Sequence, residues 1–228
     1  MGSIGIQGSR RIVIAVVDHF GYSRQVASTA LANFDRFLSK KPSVLSSKKN
    51  IQLLMTTCLY LSVKTADDKP KGLPLSFFAT MSNGLFVEAD IESMELELFD
   101  TLEWHVFPPT PELFCLHLLQ DAHGLQVANS QALYVLDNSL LDFYFCSHLP
   151  SHVALAAIAY TLRHWFSLDA LVDTFDYCDW DMESLEACHT RMHHLMERDA
   201  ATNNKSSPND ARAFDTDWQP DTTVHKCV

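Results

Sequence analysis

Apolar residues recur three and four positions apart along most of this chain, and nowhere do they alternate with polar ones over the length of a strand. The densest stretch runs from Ile51 to Lys64, IQLLMTTCLYLSVK, and leaves no wide polar face. A helix of that kind is enclosed by other helices. It is too short, and too marked by Gln52, Thr56 and Thr57, to cross a bilayer. Ser46 and Ser47 offer caps at its start, and Lys64 stands where a cation suits the helix dipole.

The other elements follow from the same period. An apolar run from Ile12 to Val17 stops near Phe20–Gly21, and residues 1–9 have no period and are expected to be irregular. Ser23 opens a helix with Val26, Ala30, Phe34, Phe37 and Leu38 inward, followed by a polar loop with Pro42. A short helix is predicted over Leu75 to Met81, and a longer one from Val87 to Val106, ended by Pro108–Pro109.

The second half repeats the plan. Pro111 starts a helix stopped by Gly124, another runs from about Val127 to Ser147, and Pro150–Ser151 open the small, apolar HVALAAIAYTLRHWF. A weak helix near Leu168–Val172 and a last one over Met182–Glu197 complete the set. The pattern predicts an all-α protein of two five-helix domains, residues 10–108 and 109–198. The polar stretch 199–228 is expected to be a disordered tail that leaves Phe214 and Trp218 available.

Composition narrows the classes. Hydrophobic residues make up 47% of 228, and only 7 glycines occur, which argues against a sheet-and-turn fold. The N-terminus lacks a signal-peptide layout, and the six cysteines form no C-x-x-C pair, so a reducing compartment is expected. The net charge of −11 disfavours a nucleic-acid partner. Within it, residues 1–50 carry eight Lys and Arg against Asp18 and Asp35, which reads as solvated surface. No membrane partner is expected.

Few residues point to chemistry. Glu95 projects from the apolar face of its helix between Ile91 and Leu98 and needs a cation or hydrogen-bond donors to compensate it; Lys64 is placed to be that cation. Asp35, between Leu31 and Leu38, needs the same from Arg11 or Arg10. His189 and His193 have metal-chelating spacing, yet Thr190 stands where a zinc protease carries glutamate. No phosphate loop or nucleophile elbow is present, so no catalysis, no metal and no cofactor are expected.

Three segments taken together resemble one family. FDRFLS from Phe34, IQLLMTTCLYLSVK, and DIESMELELFDTLEWHVFPPTPELF from Asp90 are similar to the cyclin box in order and spacing, with protist and diatom forms nearest in look. LDNSLLDFYFCSHLPSHVALAAIAYTL resembles the second cyclin fold. The resemblance implies two tandem five-helix cyclin folds and a regulatory subunit, acting in nucleus and cytoplasm. That subunit binds and activates a cyclin-dependent serine/threonine kinase in cell-cycle control, and kinase substrates are further partners.

The family's kinase-binding lysine and glutamate match Lys64 and Glu95, and its apolar contacts fall on Leu61, Phe99, Trp104 and Val106. Asp35 matches the aspartate that the family pairs with a first-helix arginine; Arg11 is expected in that role. Counted back from Asp35, that arginine would fall near Ile6, so the first helix reads as shortened. The family's usual Trp would fall at Ile12, which weakens substrate docking, and Thr65 stands where a bulky residue is usual after the lysine. The alternative is a cyclin-fold adaptor that activates no kinase.

Overall fold

The computed structural model describes residues 2–66, 73–122, 125 and 128–203. Every regular element among them is helical, and they divide into two compact units, Met1–Thr110 and Pro111–Val228. The first holds α1 (Gly2–Phe20), α2 (Arg24–Lys40), α3 (Lys48–Thr65), α4 (Leu75–Met81) and α5 (Glu88–Thr101). The second holds α6 (Pro111–Asp121), α7 (Asn129–Ser139), α8 (Pro150–Leu162), α9 (Leu168–Thr174) and α10 (Met182–Asn203).

Helix α3 is the centre of the first unit. It is buried at Ile51, Leu53, Leu54, Met55, Cys58, Leu59, Leu61 and Val63, and it packs against α1, α2, α4 and α5. The Ser47 hydroxyl accepts the Asn50 amide at 3.4 Å and caps its start. Thr57, fully buried, donates to the Leu53 carbonyl at 2.9 Å, so the polar group costs the core little. In the second unit α8 plays the equivalent part among α6, α7, α9 and α10. Its alanines at 154, 156, 157 and 159 let those neighbours approach closely, and Thr161 returns its hydroxyl to the Ala157 carbonyl at 2.9 Å.

Four expectations are corrected. The first helix is not shortened and residues 2–9 are not irregular: α1 runs 19 residues from Gly2. Ser9, Arg10, Val13 and Val17 form its buried stripe, in which two polar residues disguise the apolar period. Helix α5 ends at Thr101 rather than Val106, because Glu103 and Trp104 take positive φ of 53° and 64° and reverse the chain. The Trp104 amide closes that reversal on the Phe99 carbonyl at 3.0 Å.

Helix α7 stops at Ser139, and a separate 3-10 turn covers Phe143–Ser147. Asp142 makes the break: its carboxylate accepts the Tyr144 amide at 3.1 Å and pairs with Arg191 of α10 at 2.7 Å. The last helix continues through residues 199–203, which were expected in the tail. Tyr134 of α7 donates to Asp199 at 2.6 Å and ties those turns down. Phe214, Trp218 and the remainder of the tail lie outside the described residues.

Candidate protein-docking face

Lys64 closes α3, and Glu95 sits midway along α5, which packs beside it. The Lys64 Nζ donates to Glu95 Oε1 at 3.1 Å and Oε2 at 3.4 Å. Lys64 is 52% exposed and Glu95 only 13%, so the carboxylate is the seated partner and the ammonium the presented one. Nζ also lies 5.4 Å from the centre of the Tyr60 ring, one turn back on α3. The hydrogen bond to Glu95 holds the Lys64 ammonium above its ordinary range, with burial acting against it.

One turn beyond Glu95 on α5, Phe99 stacks on Trp104 with ring centres 4.6 Å apart and planes 27° from parallel. Trp104 is 70% exposed. Its backbone is set from three sides. Arg36 of α2 donates to the His105 carbonyl, Asn33 donates to the Val106 carbonyl at 2.8 Å, and Lys40 pairs with Glu103 at 2.7 Å. Lys41 adds a pair with Glu97 at 3.0 Å. The left-handed pair of residues is thus over-determined by α2, and an aromatic surface stands in water beside an ion pair.

Two of the expected contact residues do not reach this face. Leu61 and Val106 are 1% and 5% exposed. Leu61 lies on the side of α3 opposite solvent, and Val106 follows the reversal that turns Trp104 outward, so both are core residues. The Asp35 partner is also corrected. Arg10, 2% exposed, pairs with Asp35, whereas Arg11 is exposed, one helical step of about 100° round α1.

Sequence reasoning missed the clamps from α2. Asn33 and Arg36 act on backbone carbonyls some seventy positions away, which no local pattern reveals. Tyr60 was readable, standing four residues before Lys64. A groove of about 410 Å³ also opens on the first unit, with Ile12, Val13, Gln52, Met55, Leu59 and Phe86 among its lining. Ile12 is half-exposed there.

Several thiols and imidazoles titrate away from their ordinary ranges. Burial pushes the Cys58 thiol well up, and Cys115 and Cys188 up to about 12, so all three stay protonated at neutral pH. His189 and His193 meet at Nε2···Nε2 3.2 Å. Burial pushes both imidazoles below their ordinary range; each is also opposed by a neighbour, His193 for the first and Arg163 for the second. Among the described residues no three His, Cys, Asp or Glu side chains converge on one point. None of the described helices is long and apolar enough to cross a membrane.

Two five-helix units, each closed around an enclosed third helix, define an all-α tandem of cyclin type. The cyclin N-terminal domain matches residues 10–107 and the cyclin C-terminal domain matches residues 109–213. This chain belongs to the cyclin family. It is 28% identical to Cyclin-D3-3 of Arabidopsis thaliana over 156 residues, 66% of this chain and 43% of that one. With G1/S-specific cyclin-E1 of Danio rerio it shares 30% over 166 residues, 68% of this chain and 38% of the relative. The chain thus spans less than half the length of these relatives.

Among solved structures, a viral cyclin from herpesvirus saimiri superposes with a TM-score of 0.63 at 13% identity, covering 85% of each chain. A chain of the CAK complex from Chaetomium thermophilum, solved with ATP-gamma-S, gives 0.61 at 22% identity over 89% of this chain and 67% of that one. These likenesses carry the fold.

Proposed function

We propose that this chain is the regulatory subunit of a cyclin-dependent serine/threonine protein kinase, which it binds and activates in cell-cycle control. The observation that carries this reading is the Lys64–Glu95 pair beside the Phe99–Trp104 stack: two opposite charges and an exposed aromatic surface on one edge of the first unit. An ammonium donates to a backbone carbonyl and a carboxylate accepts backbone N–H groups, so the pair suits a segment with unpaired main-chain groups. The Trp104 indole supplies the apolar anchor such an interface needs.

In this mechanism the chain contributes no catalytic group. It binds the kinase state whose internal Lys–Glu pair and ATP site are assembled better than the state in which they are apart, and shifts the population by that difference. The groove beside Ile12 is open to a segment of a kinase substrate. Nucleus and cytoplasm are the compartments in which such a complex would act.

Co-purification of a bound kinase, with phosphorylation of a generic peptide measured against the kinase alone, tests the proposal. Activity rising with added chain supports it. A kinase that binds and gains no activity would instead make this chain a non-activating adaptor.

A further inference from the structure

Of the three histidines of α10, His189 and His193 meet each other and take no part in the docking face. Spaced by one helical turn, their rings stand 4.6 Å apart at 88°, with Nε2 atoms 3.2 Å from one another. Two nitrogen ligands at 2.0–2.1 Å from a tetrahedral zinc ion are about 3.3 Å apart, so the nitrogens already stand at the separation a shared ion imposes. We propose that His189 and His193 form a two-imidazole site for a borderline divalent cation, of which Zn²⁺ is the natural probe.

The surroundings hold this geometry. Cys188 and Met192, fully buried on the same helix, fix the register of α10 against the second unit's core. Tyr160 of α8 packs edge-on against the His193 ring at 4.9 Å. Without an ion, one ring must place its proton between the two nitrogens. With one, that ring moves its proton to Nδ1, where the other ring already carries its own, and both Nε2 lone pairs turn to the metal.

Charged neighbours divide. Glu197 favours a cation, and His194 stands 3.8 Å from that same carboxylate. Arg163, stacked over Tyr160 at 4.1 Å, opposes it. Both histidines are half-buried, so water completes the coordination sphere. Such a site is exchangeable rather than structural, and it selects against Mg²⁺ and Ca²⁺, which require oxygen donors.

Calorimetric titration of the full chain with zinc chloride near neutral pH tests this. One saturable equivalent is expected in the native protein. His189→Gln and His193→Gln should each weaken it at least tenfold with helical content unchanged, and His194→Gln should shift it less than twofold. Magnesium chloride should give no binding heat. As a check that needs no variant, the His189 and His193 ring signals in the native protein's NMR spectrum should be the first to move as zinc is added. No binding overturns the proposal. So does zinc bound equally well by both Gln variants, or ring signals of other residues moving first.

Discussion

Lys64 Nζ lies 3.1 Å from Glu95 Oε1, with the ammonium half in water and the carboxylate largely covered. In the isolated chain each group therefore occupies part of the other's hydrogen-bonding capacity. A docked backbone segment must share these charges or draw them apart. Because Lys64 is so exposed, the pair adds little to folding. Lys64→Ala is expected to lower unfolding stability by no more than about 1 kcal/mol in urea titrations. Glu95→Ala should cost slightly more, since Glu95 is the more covered group.

Arg10 and Asp35 differ from that pair in burial, at 2% and 23% exposed. Removing Asp35 takes its carboxylate partner from a buried guanidinium, and such a break costs about 3–5 kcal/mol. Asp35→Ala should therefore lower unfolding stability strongly in urea titrations, while Arg11→Ala leaves it within about 0.5 kcal/mol. Replacing Arg10 and Asp35 together by Met and Leu should recover much of the loss.

Trp104 and Leu61 separate contact from core. Trp104→Ala removes an exposed indole and should change stability little while weakening kinase capture at least tenfold. Leu61→Ala empties a core position and should cost about 2–5 kcal/mol of stability. Paired melts and pull-downs on the two variants check this.

His152 gives the second unit a pH dependence. It is 1% exposed, its Nε2 accepts the Asp181 amide at 3.3 Å, and among the described residues its Nδ1 has no hydrogen-bond partner. Burial pushes its imidazole below the ordinary range; the Asp181 charge acts the other way, and His148 adds to the depression. The folded state thus binds the proton less readily than the unfolded chain. Stability is full above the unfolded value near 6.5, and it falls as pH drops from there toward the folded value. Below the folded value the loss is complete. Urea midpoints at pH 7.5 and 5.5 should differ, and His152→Gln should flatten part of that slope. His189 and His193, pushed the same way, add to it.

The enclosed helix, the five-plus-five plan and the Lys64–Glu95 juxtaposition were all legible, because each rests on local period and helix ends. Helix α1 was not, since Gly2, Gly5 and Gly8 lower its propensity and its buried stripe includes Ser9 and Arg10. Nor was the inward turn of Leu61 and Val106. In an all-round apolar helix the sequence does not say which residue meets solvent, and Val106 depends on two left-handed residues held by α2. Long-range side-chain-to-carbonyl contacts carry no sequence period, and they set the docking face.

Exchanging the two charges, Lys64→Glu with Glu95→Lys, tests the central claim most directly. The exchanged protein keeps an internal ion pair but presents the reversed pattern to a partner. Kinase affinity should fall at least tenfold while unfolding stability stays within about 1 kcal/mol of the native protein. An exchanged chain that binds and activates the kinase as well as the native one would contradict the account.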